Sequence, residues 1–198
     1  MNITIEEYQK AVFLCNCVYK KLAYPDDMNF KGAVDKLSGF KAEVFEYKDV
    51  DYIVFSGTDF TSLRDWITNI KMAFGIKSRQ FSDALEFVLQ NYNQNKKTIF
   101  CGHSMGSALA EYSVSNVNHD NVICITFNGA GIKHMCTPNH TENVYNFITD
   151  RDILNRIMNH MPFNYFKHVG HITVITDKKY RNGVKSHSNF RAFMRYKW

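Results

Sequence analysis

The residues Gly102-His103-Ser104-Met105-Gly106 have the types and spacing of a nucleophile turn. They fit G-x-S-x-G, in which a serine stands on a sharp bend between a strand and a helix. The flanks supply that setting. Thr98-Ile99-Phe100-Cys101 is a short apolar strand running in, and Ser107-Ala108-Leu109-Ala110 has the small residues of a tightly packed helix running out. Such a bend lifts the hydroxyl above a sheet, where a base can reach it. It demands a strained backbone angle at Ser104, and glycine at 102 and 106 keeps side chains out of the way of neighbouring elements. The N–H of Met105 and the start of the helix would point at a developing oxyanion. The chemistry is attack of a serine hydroxyl on an acyl group.

The serine needs a base, and the base needs an acid to orient it and to stabilise its cationic form. In this setting they follow in the order Ser, Asp, His. Residues 144–148 form an apolar strand that leads into Thr149-Asp150-Arg151-Asp152, so Asp150 and Asp152 both qualify as the acid. Whichever is not the acid would cap the next helix. His168, His171 and His187 compete as base. His171 begins the last strand. His187 follows that strand across a loop, 177–186, at the start of the last helix, where an exposed imidazole can reach the bend; it is the preferred base.

The elements that must position these groups alternate. A helix is expected over 3–22, with Ile5, Tyr8, Val12, Cys15 and Tyr19 near helical spacing and Thr4 and Glu7 placed as a capping box. Residues 42–47 and 50–55 read as a hairpin turning at Lys48-Asp49. Helical periodicity returns in Leu63, Trp66, Ile67, Ile70 and Phe74, and again in Phe81, Leu85, Val88 and Leu89. Short strands follow at 98–101, 122–127, 144–148 and 172–175, and a last helix at 188–196. Strands alternating with helices imply an α/β fold with a mostly parallel central sheet flanked by helices, in a single domain over 1–198.

The chain resembles the class 3 lipase family of α/β hydrolases. Four segments carry the likeness in order: Val54-Phe55-Ser56-Gly57-Thr58, Asp65-Trp66-Ile67-Thr68-Asn69, the serine bend, and Thr126-Phe127-Asn128-Gly129. The resemblance implies a compact α/β-hydrolase-like fold and a serine ester hydrolase. It implies that Thr58 supplies the second oxyanion donor beside Met105, and that Asp65 braces the oxyanion loop. It favours Asp152 over Asp150, because the family's acid is followed by two apolar or proline residues, as in Asp152-Ile153-Leu154. It makes His168, within Tyr165-Phe166-Lys167-His168-Val169-Gly170, structural. The segment 60–74 would cover the site as a lid, with Trp66, Ile67 and Ile70 toward substrate; its apolar face is equally that of an ordinary core helix. Ser56 stands where the family usually has Arg, and the prolines that often flank its acid are missing.

Composition narrows the rest. The 198 residues are 45% hydrophobic and 22% charged, with five Cys at irregular spacing, which suits a folded protein with reduced, mostly buried thiols. No apolar run approaches the roughly 18 residues of a membrane span, and MNITIEEYQK lacks the pattern of a signal peptide, so a cytoplasmic location is expected. Of 24 bases against 19 acids, seven bases and no acid fall in 178–198, leaving 17 bases against 19 acids elsewhere. A near-neutral body with a basic end argues against a nucleic-acid binder and leaves two readings open, peripheral contact with an anionic membrane surface or a solvated basic tail with no partner. Phe190, Phe193 and Met194 would pack the last helix inward, leaving Arg191 and Arg195 outside. His134, Cys136 and His140 match no zinc pattern, and Cys101 lies in a strand rather than the bend. No cofactor is required.

Together these residues predict cleavage of a lipid or lipid-like acyl ester by Ser104, His187 and Asp152, with Thr58 and Met105 at the oxyanion. An acyltransferase or thioesterase on the same three residues is the enzymatic alternative. A catalytically inactive lipase-like binding protein is the alternative of another class.

Overall fold

A computed structural model describes residues 3–57, 79–117, 120–137, 141–159 and 167–197. The expected lid with Trp66, Ile67 and Ile70, the expected oxyanion donor Thr58, the expected brace Asp65, and His140 lie outside the described residues.

The first helix, α1 (Ile5–Lys20), starts where the capping box requires: Glu7 N–H donates to Thr4 Oγ1 and Thr4 N–H to Glu7 Oε2, at 3.2 and 2.8 Å. It stops at Lys21, in the left-handed region at φ 53°. Three strands follow: β1 (Asn29–Asp35), β2 (Lys41–Tyr47) and β3 (Val50–Phe55). Lys48 and Asp49 both carry positive φ, 49° and 28°, as a two-residue hairpin turn between right-twisted strands demands. Then come α2 (Arg79–Asn91), β4 (Lys97–His103), α3 (Met105–Asn116), β5 (Val122–Phe127), β6 (Val144–Thr149), α4 (Ile153–Asn159), β7 (His171–Ile175), α5 (Gly183–His187) and α6 (Phe190–Met194).

The seven strands lie side by side in chain order. The first three are antiparallel, and every pairing from β3 to β7 is parallel. Strand alternation splits the core between the two faces. Ile53, Phe55, Phe100 and Cys124 point to the side of α2 and α3, against Phe81, Val88, Ala108 and Leu109. Tyr52, Val54, Ile99, Cys101, Ile123 and Ile125 point to the side of α1 and α6, against Tyr8, Val12, Leu14, Phe190 and Phe193. With both faces covered, β5 is buried at every position, which is why it reads as an unbroken apolar run. The Tyr8 hydroxyl donates to the Phe193 carbonyl at 3.0 Å and ties α1 to α6.

Several elements differ from expectation. The edge strand β1 is largely exposed and has no apolar alternation to announce it. Helix α5 was not expected, and α4 was expected only as the helix that an aspartate at 150 or 152 would cap, since helices of seven and five residues span too few turns to show a period. The last helix is shorter than 188–196, and Met194 is 40% exposed instead of packing inward. Ile5, on the expected face of α1, is the first residue of the helix and is 55% exposed. All five cysteines are free thiols, four of them buried. Among the described residues no helix is long and apolar enough to cross a membrane.

Candidate active site

In a parallel sheet the loops at the carboxyl ends of the strands gather on one edge. Here that edge collects the turns after β3, β4, β5 and β6.

The turn after β4 is Ser104, with φ 58° and ψ −122° between the last residue of the strand and the first of α3. Positive φ at a non-glycine residue is costly and persists only where the surroundings enforce it. They do so by close approach. A Cβ on Gly102 would lie 2.4 Å from the Gly106 carbonyl carbon, and one on Gly106 would lie 2.1 Å from the Phe55 carbonyl oxygen. The first turn of α3 thus rests directly on the end of β3, and both positions require glycine. Ser104 N–H donates to the Phe127 carbonyl at 3.1 Å. Its side chain is buried, and Oγ has no hydrogen-bond partner among the described residues. Gly57, in the loop leaving β3, lies over the bend: a Cβ there would be 3.7 Å from Met105 N and from Ser104 Cβ.

The aspartate and the histidine come together. Asp152 is 1% exposed, and its Oδ2 lies 2.5 Å from His187 Nδ1. Its Oδ1 accepts from Asn155 N–H and Asn155 Nδ2, each at 2.8 Å. Expectation divided the acid and the helix cap between two aspartates. Asp152 holds His187 with one oxygen and caps α4 with the other. Asp150 braces the loop after β7, accepting from Asp177 N–H at 2.9 Å.

His187 ends α5 rather than starting a helix, and it is 5% exposed rather than projecting into solvent. Asn182 caps α5 by accepting from the N–H groups of Val184 and Lys185. At the other end the His187 carbonyl accepts from Asn128 Nδ2 at 2.9 Å and lies 2.7 Å from His103 Nε2. The His103 and His187 rings are 4.7 Å apart between centroids. The two other candidate bases are engaged elsewhere. His171, on exposed β7, lies 3.2 Å from the Glu142 carbonyl. His168 lies between Glu111 and Asn155, at 3.2 and 3.0 Å.

Three residues that build this site were given no role by the sequence reading. His103 is buried, and burial, reinforced by the neighbouring His187, pushes its imidazole well below the usual histidine range. It is therefore neutral near pH 7 and carries its proton on the nitrogen facing a carbonyl. Asn128 sits at φ 43°. Its Oδ1 accepts from Thr149 N–H and Oγ1 at 2.8 and 3.2 Å, and its Nδ2 donates to the carbonyls of Ser186 and His187. One side chain thereby joins the ends of β5 and β6 to the histidine loop. The pair Asn128-Gly129 after a strand is a recognised signal for positive φ and could have marked it. Asn155, the third, carried no such signal.

Beside the histidine loop the charge is one-sided. Hollows of about 580 and 630 Å³ adjoin at Lys179, Asn189 and Arg191. Lys20, Lys178, Lys179, Lys185, Arg191, Arg195 and Lys197 line them. None of these forms an ion pair among the described residues. The acid in the lining, Asp177, is buried and accepts from Lys179 N–H, Tyr180 N–H and Asn189 Nδ2. Cys136 points its thiol at the Glu111 carbonyl, 3.9 Å away, and among the described residues no cluster could hold a metal ion.

Known proteins share this architecture. The chain superposes on the Rhizomucor miehei lipase of a propeptide complex with a TM-score of 0.57, at 16% identity, covering 97% of this chain and 79% of that one. A triacylglycerol lipase from Penicillium expansum gives a TM-score of 0.58 at 14% identity, over 86% and 78% of the two chains. These likenesses establish the α/β-hydrolase fold. In sequence, an extracellular phospholipase A1 from Serratia liquefaciens is 27% identical over 99 residues. That stretch is 50% of this chain, and the chain spans 30% of that relative's length. Residues 18–178 match the Tle-like phospholipase domain, a phospholipase-like family. With most of its length inside that match, the chain belongs to the Tle-like phospholipase domain family.

Proposed function

We propose that this chain is a serine ester hydrolase that cleaves a lipid acyl ester, with Ser104 as nucleophile, His187 as general base and Asp152 as its partner. The observation that carries the reading is the contact of His187 Nδ1 with buried Asp152, on a loop tied through His103 to the strained turn at Ser104. The carboxylate keeps the histidine proton on Nδ1 and leaves Nε2 as the basic nitrogen. Nε2 takes the Ser104 proton as Oγ attacks the ester carbonyl, then delivers it to the departing alcohol. Water, activated by the same nitrogen, releases the acid from the acyl-enzyme.

The N–H of Met105, at the start of α3, is a donor for the oxyanion. Thr58 is the proposed second donor; the approach of Gly57 to Met105 N supports it. The segment 60–74, with Trp66, Ile67 and Ile70, is the proposed cover. Family membership and the names of the relatives favour a phospholipid or other lipid ester as substrate. The cations beside the histidine loop, which form no ion pair among the described residues, favour a peripheral approach to an anionic membrane surface.

A fluorophosphonate probe tests the reading. Labelling of the wild type and not of Ser104→Ala, with release of fatty acid from phospholipids or acylglycerols detected by mass spectrometry, is expected. Folded wild-type protein that resists the probe would make the chain a lipase-like binding module.

A further inference from the structure

We infer that Asn155 is a positioning residue for Asp152, held in place by a buried His168–Glu111 pair. The inference rests on Asp152 being the partner of His187.

A carboxylate with one oxygen on an imidazole can still rotate about its own axis, and rotation moves the imidazole. Asp152 is prevented from rotating because its other oxygen, Oδ1, accepts both the backbone N–H and the side-chain Nδ2 of Asn155. The backbone bond belongs to any residue at the third position of a capped helix. The side-chain bond is specific to Asn155.

The hydrogen-bond pattern sets the direction of that amide. Asn155 Nδ2 faces two acceptors, Asp152 Oδ1 at 2.8 Å and the Gly129 carbonyl at 3.3 Å. The amide oxygen must then be the atom 3.0 Å from His168 Nε2, so that nitrogen carries a proton. On the far side, His168 Nδ1 lies 3.2 Å from Glu111 Oε1. One proton between these two atoms completes the chain, whichever atom holds it, and the pair is neutral overall. That suits its surroundings: the side chains of His168 and Glu111 are 6% and 0% exposed. Burial pushes the Glu111 carboxyl up, against the pull of His168 and the Ile132 N–H.

The backbone is locked as well. A Cβ on Gly131 would lie 2.3 Å from the Lys167 carbonyl carbon and 2.5 Å from His168 N, so the loop after β5 presses directly on the segment that carries His168. Glu111 lies on α3, the helix that begins beside Ser104. The chain Glu111–His168–Asn155–Asp152–His187 therefore references the acid and the base to the same helix that presents the nucleophile.

The test measures kcat and KM on a soluble p-nitrophenyl ester, with active sites counted by fluorophosphonate titration so that unfolded protein does not enter kcat. For Asn155→Ala, kcat per titrated site should fall about 10- to 100-fold with KM within twofold, as expected when a reacting group is misplaced by a fraction of an ångström. His168→Phe should do the same. Glu111→Gln should stay within about threefold of wild type, because its amide can donate to Nδ1 and leave the His168 Nε2 proton in place. A merely structural role would lower the melting temperature and the count of active sites and leave kcat per site unchanged.

Asn155→Ala within twofold of wild type in kcat per site would overturn the inference, and it decides alone if His168→Phe does not fold. Ser104→Ala in the same assay separates the two readings. If it stays active, the assignment of the nucleophile fails; if it is inactive while Asn155→Ala is normal, only the positioning role fails.

Discussion

The backbone carbonyl oxygen of His187 lies 2.7 Å from Nε2 of His103, the residue immediately before Ser104. The proposed base is thus located against the nucleophile turn through its main chain, with its ring left to face Asp152. Replacing His103 by Phe fills the space and removes the donor, while Asn128 still serves the same carbonyl. One buried hydrogen bond is worth about 1 kcal/mol net. His103→Phe should cost about that in stability, and lower kcat about tenfold. Denaturant unfolding and ester hydrolysis check the two effects separately.

The same residue sets a pH dependence. Burial holds the folded-state pKa of His103 well below its ordinary value of 6.5, so the unfolded chain binds the proton more readily. Its contribution to stability is complete above pH 6.5, begins to fall as the pH drops below that value, and is lost through the lower folded-state pKa. Unfolding free energies measured from pH 7.5 to pH 5 should therefore fall less steeply for His103→Phe than for wild type. Parallel curves would mean that His103 takes no part.

Asp152 and Asp150 should part company on substitution. Asp152→Asn offers His187 Nδ1 an amide that can favour the wrong tautomer, and about a 10⁴-fold loss in kcat is expected from such a change. Asp150 accepts a backbone N–H, which an amide oxygen can also accept, so Asp150→Asn should stay within a few-fold of wild type. The reverse result would move the acid to position 150. Ser104→Ala and His187→Ala should each remove turnover by orders of magnitude, and their combination should be little worse than either.

Gly106→Ala adds one methyl 2.1 Å from the Phe55 carbonyl oxygen, a backbone atom that cannot swing aside. Relief requires α3 to lift from β3, at a cost of about 1–3 kcal/mol or more. Because Met105 N–H and Ser104 move with it, labelling by fluorophosphonate should slow more than the loss of folded protein explains. Thermal unfolding alongside labelling rates separates the effects.

Arg191 on α6 and Arg195 at its C-cap stand exposed in the basic hollow beside the histidine loop. Each base near an anionic bilayer is worth about 1 kcal/mol, and salt screens the attraction. Hydrolysis should be faster on vesicles containing anionic lipid than on neutral ones, with the advantage shrinking as salt rises. Arg191→Gln with Arg195→Gln should reduce the preference and leave a soluble short ester cleaved normally. Equal rates on both vesicle types at low salt would leave the charge with no membrane role.

What the sequence determined by itself is local. The Ser104 turn could be read because strand, bend and helix are contiguous. The Thr4–Glu7 box and the Lys48-Asp49 hairpin could be read because each closes within four residues. The central strands announced themselves because both their faces are buried. Strand β1 and α5 did not, the first because it is exposed and the second because it is shorter than a readable period, while α4 was legible only through its capping aspartate.

What only the tertiary structure decided is which distant groups meet. Asp150 and Asp152 are two residues apart, and nothing in their chemistry separates them. The lie of β6 and α4 sends one to His187 and the other to Asp177. Gly106 needs to be glycine because of Phe55, some fifty positions earlier. His103 and Asn128 acquire their roles from partners 84 and 59 residues away, and Asn155 is held toward Asp152 by a histidine 13 residues away. Hydrogen bonds and close contacts act over a few ångströms of space, whatever the separation along the chain, so their partners exist only once the sheet has brought its carboxyl ends together.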